Sequence, residues 1–225
     1  MKIIYLSGID GCGKTTQAKL LVDRLRLKGV DANYLWLRWE PSFRSFIKAF
    51  RAVKERPVTE NKQLVENENA EQKDWLKFKR RILANQFLRM LWLLYACGDY
   101  YFSYKKRFKK LTADVVVIDR YVNDFIIDQA VNLDIAPDAT GIISDNFFLK
   151  KFHFPDFNII IDLPALEGYT RKSDGTPLSY LETREKYYQA LTGNETLHLN
   201  GLNGIDDLAA QIAVWVADKL EVGKI

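Results

Sequence analysis

The chain reads as an α/β protein with a parallel sheet covered by helices on both faces. Three observations predict this. Lys2–Leu6, Val115–Ile118 and Phe157–Ile161 are short aliphatic runs, the mark of strands buried on both sides. Longer stretches with helical apolar spacing separate them, so strand and helix alternate. A Gly-rich turn joins the first strand directly to a helix. With 225 residues, 48% of them hydrophobic, the chain is long enough for one large domain, 1–225, with a substantial core.

The elements follow in order. Lys2–Leu6 is the first strand and Thr16–Leu27 the first helix. Ala32–Leu37 is a second strand, and Arg38–Phe43 reads as a functional loop. Ser45–Val53 reads as a short helix and 55–73 as a polar, exposed connection with few large apolar residues. A long helix is predicted from Trp75 to Phe108, with Phe87, Leu88, Leu91, Leu94 and Tyr95 marking a core face and Trp92 at core-like spacing. Val115–Ile118 is the third strand, ending in Asp119; helices are predicted at Val122–Asn132 and Pro137–Lys150. Phe157–Ile161 ends in Asp162, and 171–178 is a polar stretch read as a lid. Leu178–Leu191 is a helix, Thr196–Leu199 the fifth strand, and Asp206–Leu220 a closing amphipathic helix with Trp215 toward its core face.

The turn after the first strand is Gly8-Ile9-Asp10-Gly11-Cys12-Gly13-Lys14-Thr15, which fits G-x-x-x-x-G-K-[ST]. Glycines allow backbone angles that crowd a Cβ, so several N–H groups converge on one anion. The helix beginning near Thr16 adds its unpaired amides and partial positive charge. Lys14 supplies a mobile cation for the outer phosphates, and the Thr15 hydroxyl can ligate the accompanying magnesium ion. A glycine-rich turn can match this pattern by chance; strand, loop and helix in the required order weigh against that.

Asp119 reaches the carboxyl edge of the sheet, where open α/β sheets bind ligands, and can serve the metal directly or through water. Arg120 beside it can bridge donor and acceptor phosphates; the plainer role is a surface ion pair. Asp162 either binds water near the metal or orients a turn or caps the following helix. Arg171 and Lys172 can bring positive charge over the γ-phosphate when a lid closes, or simply solvate a helix end.

Composition narrows the classes. A net charge of +4 suits small polyanions without demanding nucleic acid. Lys105-Lys106-Arg107 with Lys109-Lys110 reads as a solvated helix end. Cys12 and Cys97 show no metal spacing, and Cys12 reads as a small residue tolerated in the loop. His153 and His198 are isolated in the sequence. The opening residues form a strand rather than a leader, and the longest apolar run, near Met90–Gly98, is too short to span a bilayer. The expectation is a soluble, cytoplasmic protein with no nucleic-acid or membrane partner.

The phosphate loop through Thr16, Arg38 with Glu40-Pro41, Asp119-Arg120-Tyr121, and Pro155-Asp156 ahead of the strand ending Asp162-Leu163 together resemble thymidylate kinases, in order over nearly the whole chain. The resemblance implies a P-loop NTPase with three α/β/α layers, a five-stranded parallel sheet and a short lid. It implies transfer of the γ-phosphoryl group of Mg-ATP to a nucleoside monophosphate, dTMP first among them, and a homodimer. By the same resemblance Gly8, Asp10, Gly11, Cys12, Gly13, Lys14, Thr15 and Thr16 hold ATP, with Thr15 and Asp119 serving magnesium. Asp10 faces the acceptor sugar, Arg38 clamps the acceptor phosphate, and Arg120 sits between the substrates. Tyr121 lines the acceptor pocket and Tyr95 stacks on the acceptor base; Tyr95 also has core spacing. Arg171 completes the site from the lid.

Two departures stand out. The family has an arginine one helical turn beyond the stacking aromatic, where this chain has Asp99, or Tyr100 after a one-residue shift. Trp39 interrupts the family's Arg-Glu-Pro. Asp99 is therefore an acceptor-site candidate that would repel a phosphate and could instead take a hydroxyl or amine. Two alternatives stay open: a kinase for another acceptor (another nucleotide, a nucleoside or a small alcohol), and a nucleotide-dependent switch or binding module.

Overall fold

A computed structural model describes residues 1–42, 85–172, 175–193 and 195–221. The helix expected at Ser45–Val53, the 55–73 connection and the start of the long helix lie outside the described residues. The strands are β1 (Lys2–Ser7), β2 (Ala32–Trp36), β3 (Val115–Asp119), β4 (Phe157–Asp162) and β5 (Thr196–Asn200). The helices are α1 (Lys14–Leu27), α2 (Gln86–Phe108), α3 (Val122–Leu133), α4 (Gly141–Ser144), α5 (Ala165–Arg171), α6 (Leu178–Gln189) and α7 (Ile205–Leu220).

All five strands are parallel, in the order β2-β3-β1-β4-β5. β1 sits centrally, with Leu6 opposite Asp119 on one side and Ile159 on the other. The chain fills one side of β1 with β2 and β3, then crosses to β4. The carboxyl ends of β1, β3 and β4 thus surround a topological switch point.

Alternate side chains feed two cores. Ile4 and Leu6 of β1, with Val115 and Val117 of β3, pack against Ala18, Leu21, Val22 and Leu25 of α1 and Leu208, Ile212 and Val216 of α7. Ile3, Tyr5, Val116 and Ile118 face the other way, toward α2, α3 and α6, in a core rich in aromatics. The strict alternation is the period-2 geometry of a pleated strand buried on both faces.

Two expectations change. The core-forming part of α2 is not the Phe87–Tyr95 stripe. Phe87 is 61% exposed and Leu94 51%, whereas Ala96, Cys97, Tyr100, Tyr104 and Phe108 are buried. Periodicity finds an apolar stripe but not what covers it, and the fully buried residues of α2 that enter the aromatic core begin at Ala96. Trp92 is half-buried against that core, its indole N–H donating to Gln129 Oε1 at 3.1 Å.

The helix expected at Pro137–Lys150 is instead broken into a 3₁₀ turn at Pro137–Ala139, the single turn of α4, and another 3₁₀ turn at Leu149–Lys151. Short polar side chains take the backbone's partners there. Thr140 Oγ1 donates to the Pro137 carbonyl at 3.0 Å, and Asn146 Oδ1 accepts from Phe148 N at 3.0 Å. No helix among the described residues is long and apolar enough to cross a membrane.

Candidate active site

The phosphate loop lies between β1 and α1. α1 has no side-chain cap; its N-cap is Gly13, at φ 91°. The first-turn amides therefore keep their hydrogen-bonding capacity for a ligand. By contrast, Asn85 caps α2 by accepting from Phe87 N and Leu88 N. Gly11, at φ 89°, is needed for a second reason. A Cβ there would stand 2.7 Å from the Gly168 carbonyl oxygen, and one on Gly168 would stand 2.7 Å from that of Asp10. Helix α5 thus rests on the loop through two glycines. Sequence reasoning expected a helix after Asp162 but gave it no bounds, although Pro164 ahead of Ala165 is a helix-start signal.

Lys14 is buried, its Nζ donating to the Ile9 carbonyl at 3.0 Å and lying 3.6 Å from Asp10 Oδ1. Thr15 Oγ1 donates to Asp119 Oδ2 at 2.5 Å, and Tyr34 Oη donates to the same oxygen at 3.1 Å. Asp119 is fully buried, and its Oδ1 has no hydrogen-bond partner among the described residues. A hydroxyl joined to a carboxylate with an unspent oxygen is a donor set that suits a hard divalent cation such as magnesium. Tyr34 was not foreseen, because its signal is only the parallel register that lays the end of β2 beside β3. Burial, then the Asp119 carboxylate, push its hydroxyl well above the usual range. Tyr34 thus keeps its proton and donates it to Asp119.

Arg120 sits at φ 65°, a region that favours glycine, with its guanidinium paired to Asp10 Oδ1. Burial alone would raise the Asp10 pKa, but Arg120, then Lys14 and Lys172, hold it well below the usual carboxylate range. One carboxylate thus gathers three cations: Arg120, Lys14, and Lys172 with its Nζ 3.9 Å away.

The strained Arg120 backbone is held from the next residue. Asp124 Oδ2 accepts from Tyr121 N at 3.0 Å and from Tyr5 Oη at 2.5 Å, while Tyr188 Oη donates to Asp124 Oδ1. Arg184, 2% exposed, donates to Tyr188 Oη at 2.6 Å and to Tyr180 Oη at 3.1 Å, and pairs with Asp128. This network ties α6 to α3 and β1. Its members are scattered along the chain, so no local motif announces them.

Other expected site residues are placed differently. Arg171 Nε pairs with Glu167 at 2.9 Å and its NH1 donates to the Gly201 carbonyl at 3.0 Å, whereas Lys172 is the residue that approaches Asp10 of the phosphate loop. Tyr121 is buried in the aromatic core with its hydroxyl donating to the His153 carbonyl at 2.7 Å, a wall residue rather than an open pocket lining. Tyr95 is 38% exposed and packs beside Trp92, ring centroids 5.8 Å apart. Arg38 is exposed. Asp99 is bound by Trp39 and Ser42. Cys12 is buried and burial raises its thiol pKa, as it pushes that of Cys97 up to about 12. His198 is not isolated: its Nδ1 lies 2.8 Å from Asp162 Oδ2 and its Nε2 2.9 Å from the Leu191 carbonyl. Asp162 Oδ2 is thereby engaged by His198 of β5, while its buried Oδ1 has no partner among the described residues; Pro164, not Asp162, is the N-cap of α5.

The fold is the α/β fold of P-loop NTPases. Within that class the chain is thymidylate kinase-like in sequence. It is 28% identical over 172 residues to thymidylate kinase of Caldanaerobacter subterraneus subsp. tengcongensis, covering 76% of this chain and 68% of that protein. It is 23% identical over 229 aligned positions to thymidylate kinase of Desulfotalea psychrophila, covering 98% and 96%. It is 29% identical over 184 residues to a probable thymidylate kinase of Methanococcus aeolicus, covering 82% and 72%. No protein-family model matches the chain.

Proposed function

We propose that the protein transfers the γ-phosphoryl group of Mg-ATP to a nucleoside monophosphate, with dTMP the first acceptor to test. The observation that carries this is the junction of three strand ends. There the uncapped α1 amides, the Thr15–Asp119 contact and the Arg120–Asp10 pair converge. The thymidylate kinase-like sequence supports the same reading.

The loop from Gly8 to Thr16 grips the triphosphate through main-chain amides, and Lys14 moves from the Ile9 carbonyl onto its outer oxygens. Thr15 and Asp119 would hold magnesium, which would supply charge neutralisation for the phosphates. Arg120, fixed by Asp10 and by the Asp124 cap, faces the gap between donor and acceptor. Its guanidinium stabilises charge as the phosphoryl group passes. Arg38 meets the acceptor's anion from the loop after β2. Transfer is in line, with no covalent enzyme intermediate, and the barrier falls through positioning and charge neutralisation. Lys172, rather than Arg171, is the lid cation nearest this gap.

A second reading keeps the chemistry and changes the acceptor. It is favoured by one observation: α2 presents Asp99 beside the Arg38 loop, where a monophosphate kinase needs positive charge. ADP release should be measured with dTMP, other nucleoside monophosphates, thymidine and small alcohols. Selective turnover of dTMP is expected. Turnover of a phosphate-free acceptor alone would transfer the conclusion to the second reading, and ATP binding without any acceptor would sink both.

A further inference from the structure

The two departures of this chain from the thymidylate kinase pattern touch each other. Trp39 Nε1 donates to Asp99 Oδ2 at 2.9 Å. Ser42 N donates to the same oxygen at 3.1 Å, and the Ser42 hydroxyl donates to Asp99 Oδ1. The carboxylate thus receives three hydrogen bonds from one short loop. A carboxylate so occupied has little capacity left for a substrate.

The same loop is held at its root. Leu37 N donates to the Asp119 carbonyl at 3.2 Å, and Tyr100 Oη, from the residue after Asp99, donates to the Leu37 carbonyl at 3.1 Å. The Trp39 ring stands edge-on to Phe125 at 5.4 Å and to Trp92 at 5.9 Å. Arg38 lies between these two anchors, exposed, with no ion pair among the described residues. Fixing the residues on either side restricts where its guanidinium can swing, and this lowers the entropic cost of binding an anion there.

We infer that Asp99 and Trp39 form a positioning pair that holds Arg38 for the acceptor, so that the acceptor's anion is met from the loop and not from α2. The inference rests on the phosphotransfer reading for the identity of the acceptor, but not for the clamp itself. Asp99 acts through Arg38 and is not a substrate ligand. The site then makes one guanidinium contact to the acceptor on this side.

The test compares Trp39→Phe, Asp99→Asn and the double variant, with Mg-ATP and dTMP as probes and deuterium uptake by the amides of residues 37–42 as an activity-independent readout. Each single variant should raise KM for dTMP roughly tenfold, the scale of one charged hydrogen bond, with kcat and KM for ATP little changed. The double variant should be no worse than the weaker single one. Exchange across 37–42 should quicken in both. Ser42→Ala removes a loop-side partner and serves if a variant of Asp99 does not fold. Unchanged exchange in Trp39→Phe and Asp99→Asn would overturn the clamp. So would a silent Trp39→Phe beside an Asp99→Asn that reorders preferred acceptors, since Asp99 would then touch the acceptor directly. If the wild-type protein does not phosphorylate dTMP, the functional reading fails, while the exchange measurement still decides the clamp.

Discussion

Thr15 Oγ1 donates to Asp119 Oδ2, so the first turn of α1 is joined to the carboxyl end of β3. These residues lie 104 positions apart, and the contact spans the two halves of the proposed catalytic junction. It leaves Asp119 Oδ1 buried without a partner among the described residues. Asp119→Asn removes the negative charge there. Turnover should fall roughly a hundredfold, the scale of losing a fixed electrostatic group at the phosphates, and the magnesium dependence should shift to higher concentration. Thermal melts in chelator should show no loss of stability, because an unpaired buried charge is itself costly. Wild-type turnover in this variant would refute the assignment.

Lys14 makes no contact that the fold requires beyond the Ile9 carbonyl and Asp10. Lys14→Ala should reduce ADP release by about a thousandfold while circular dichroism and the melting midpoint stay near wild type. Near-normal turnover would rule out the mechanism.

Asp10 supplies a pH signature. Its carboxyl is held below the usual range by Arg120, Lys14 and Lys172 despite burial. A depressed folded-state pKa adds stability that is complete above the unfolded value, about 4, and is lost as pH falls through the folded one. Asp10→Asn should therefore cost about 1.5–3 kcal/mol at neutral pH, and denaturant melts should show the gap to wild type closing below about pH 4. A gap that persists undiminished into strong acid would show that the pairing contributes nothing.

Arg171 and Lys172 should separate kinetically. Arg171 is bonded to Glu167 and the Gly201 carbonyl, whereas Lys172 reaches toward Asp10. Lys172→Ala should lower kcat roughly tenfold or more, and Arg171→Ala should mainly raise KM for ATP. The reverse pattern, with kcat lost in Arg171→Ala alone, would restore the arginine as the catalytic lid cation.

Gly168→Ala tests the seat of α5. Its Cβ would meet the Asp10 carbonyl oxygen at 2.7 Å, a backbone atom that cannot swing aside. A loss of about 1–3 kcal/mol is expected, read as a lower melting midpoint together with weaker ATP binding. An unchanged midpoint would mean that α5 does not rest on the loop.

What the sequence makes legible follows from locality. β1, β3 and β4 read as strands because burial on both faces leaves continuous aliphatic runs. The phosphate loop and Asp119-Arg120 read directly because their chemistry needs neighbouring residues. Arg184 could not be read: it looks like one more charge on a polar helix, and only folding sets it against Tyr188, Tyr180 and Asp128. Arg171 shows the opposite failure. Its position beside the lid is plain in the sequence, but the direction of its side chain depends on Gly201, 30 residues away. Asp99 reads as an acceptor-site residue from its place on the helix, and its bond to Trp39 becomes visible only when the loop is laid against α2.

The two cores divide the work of tolerating change. The layer formed by α1 and α7 packs mainly aliphatic side chains against the back of the sheet, so substitutions there should act first on stability. The aromatic layer opposite also carries Trp39 and Tyr121. A lineage, or a laboratory library, that seeks a new acceptor can therefore vary the second layer while the first keeps the scaffold intact.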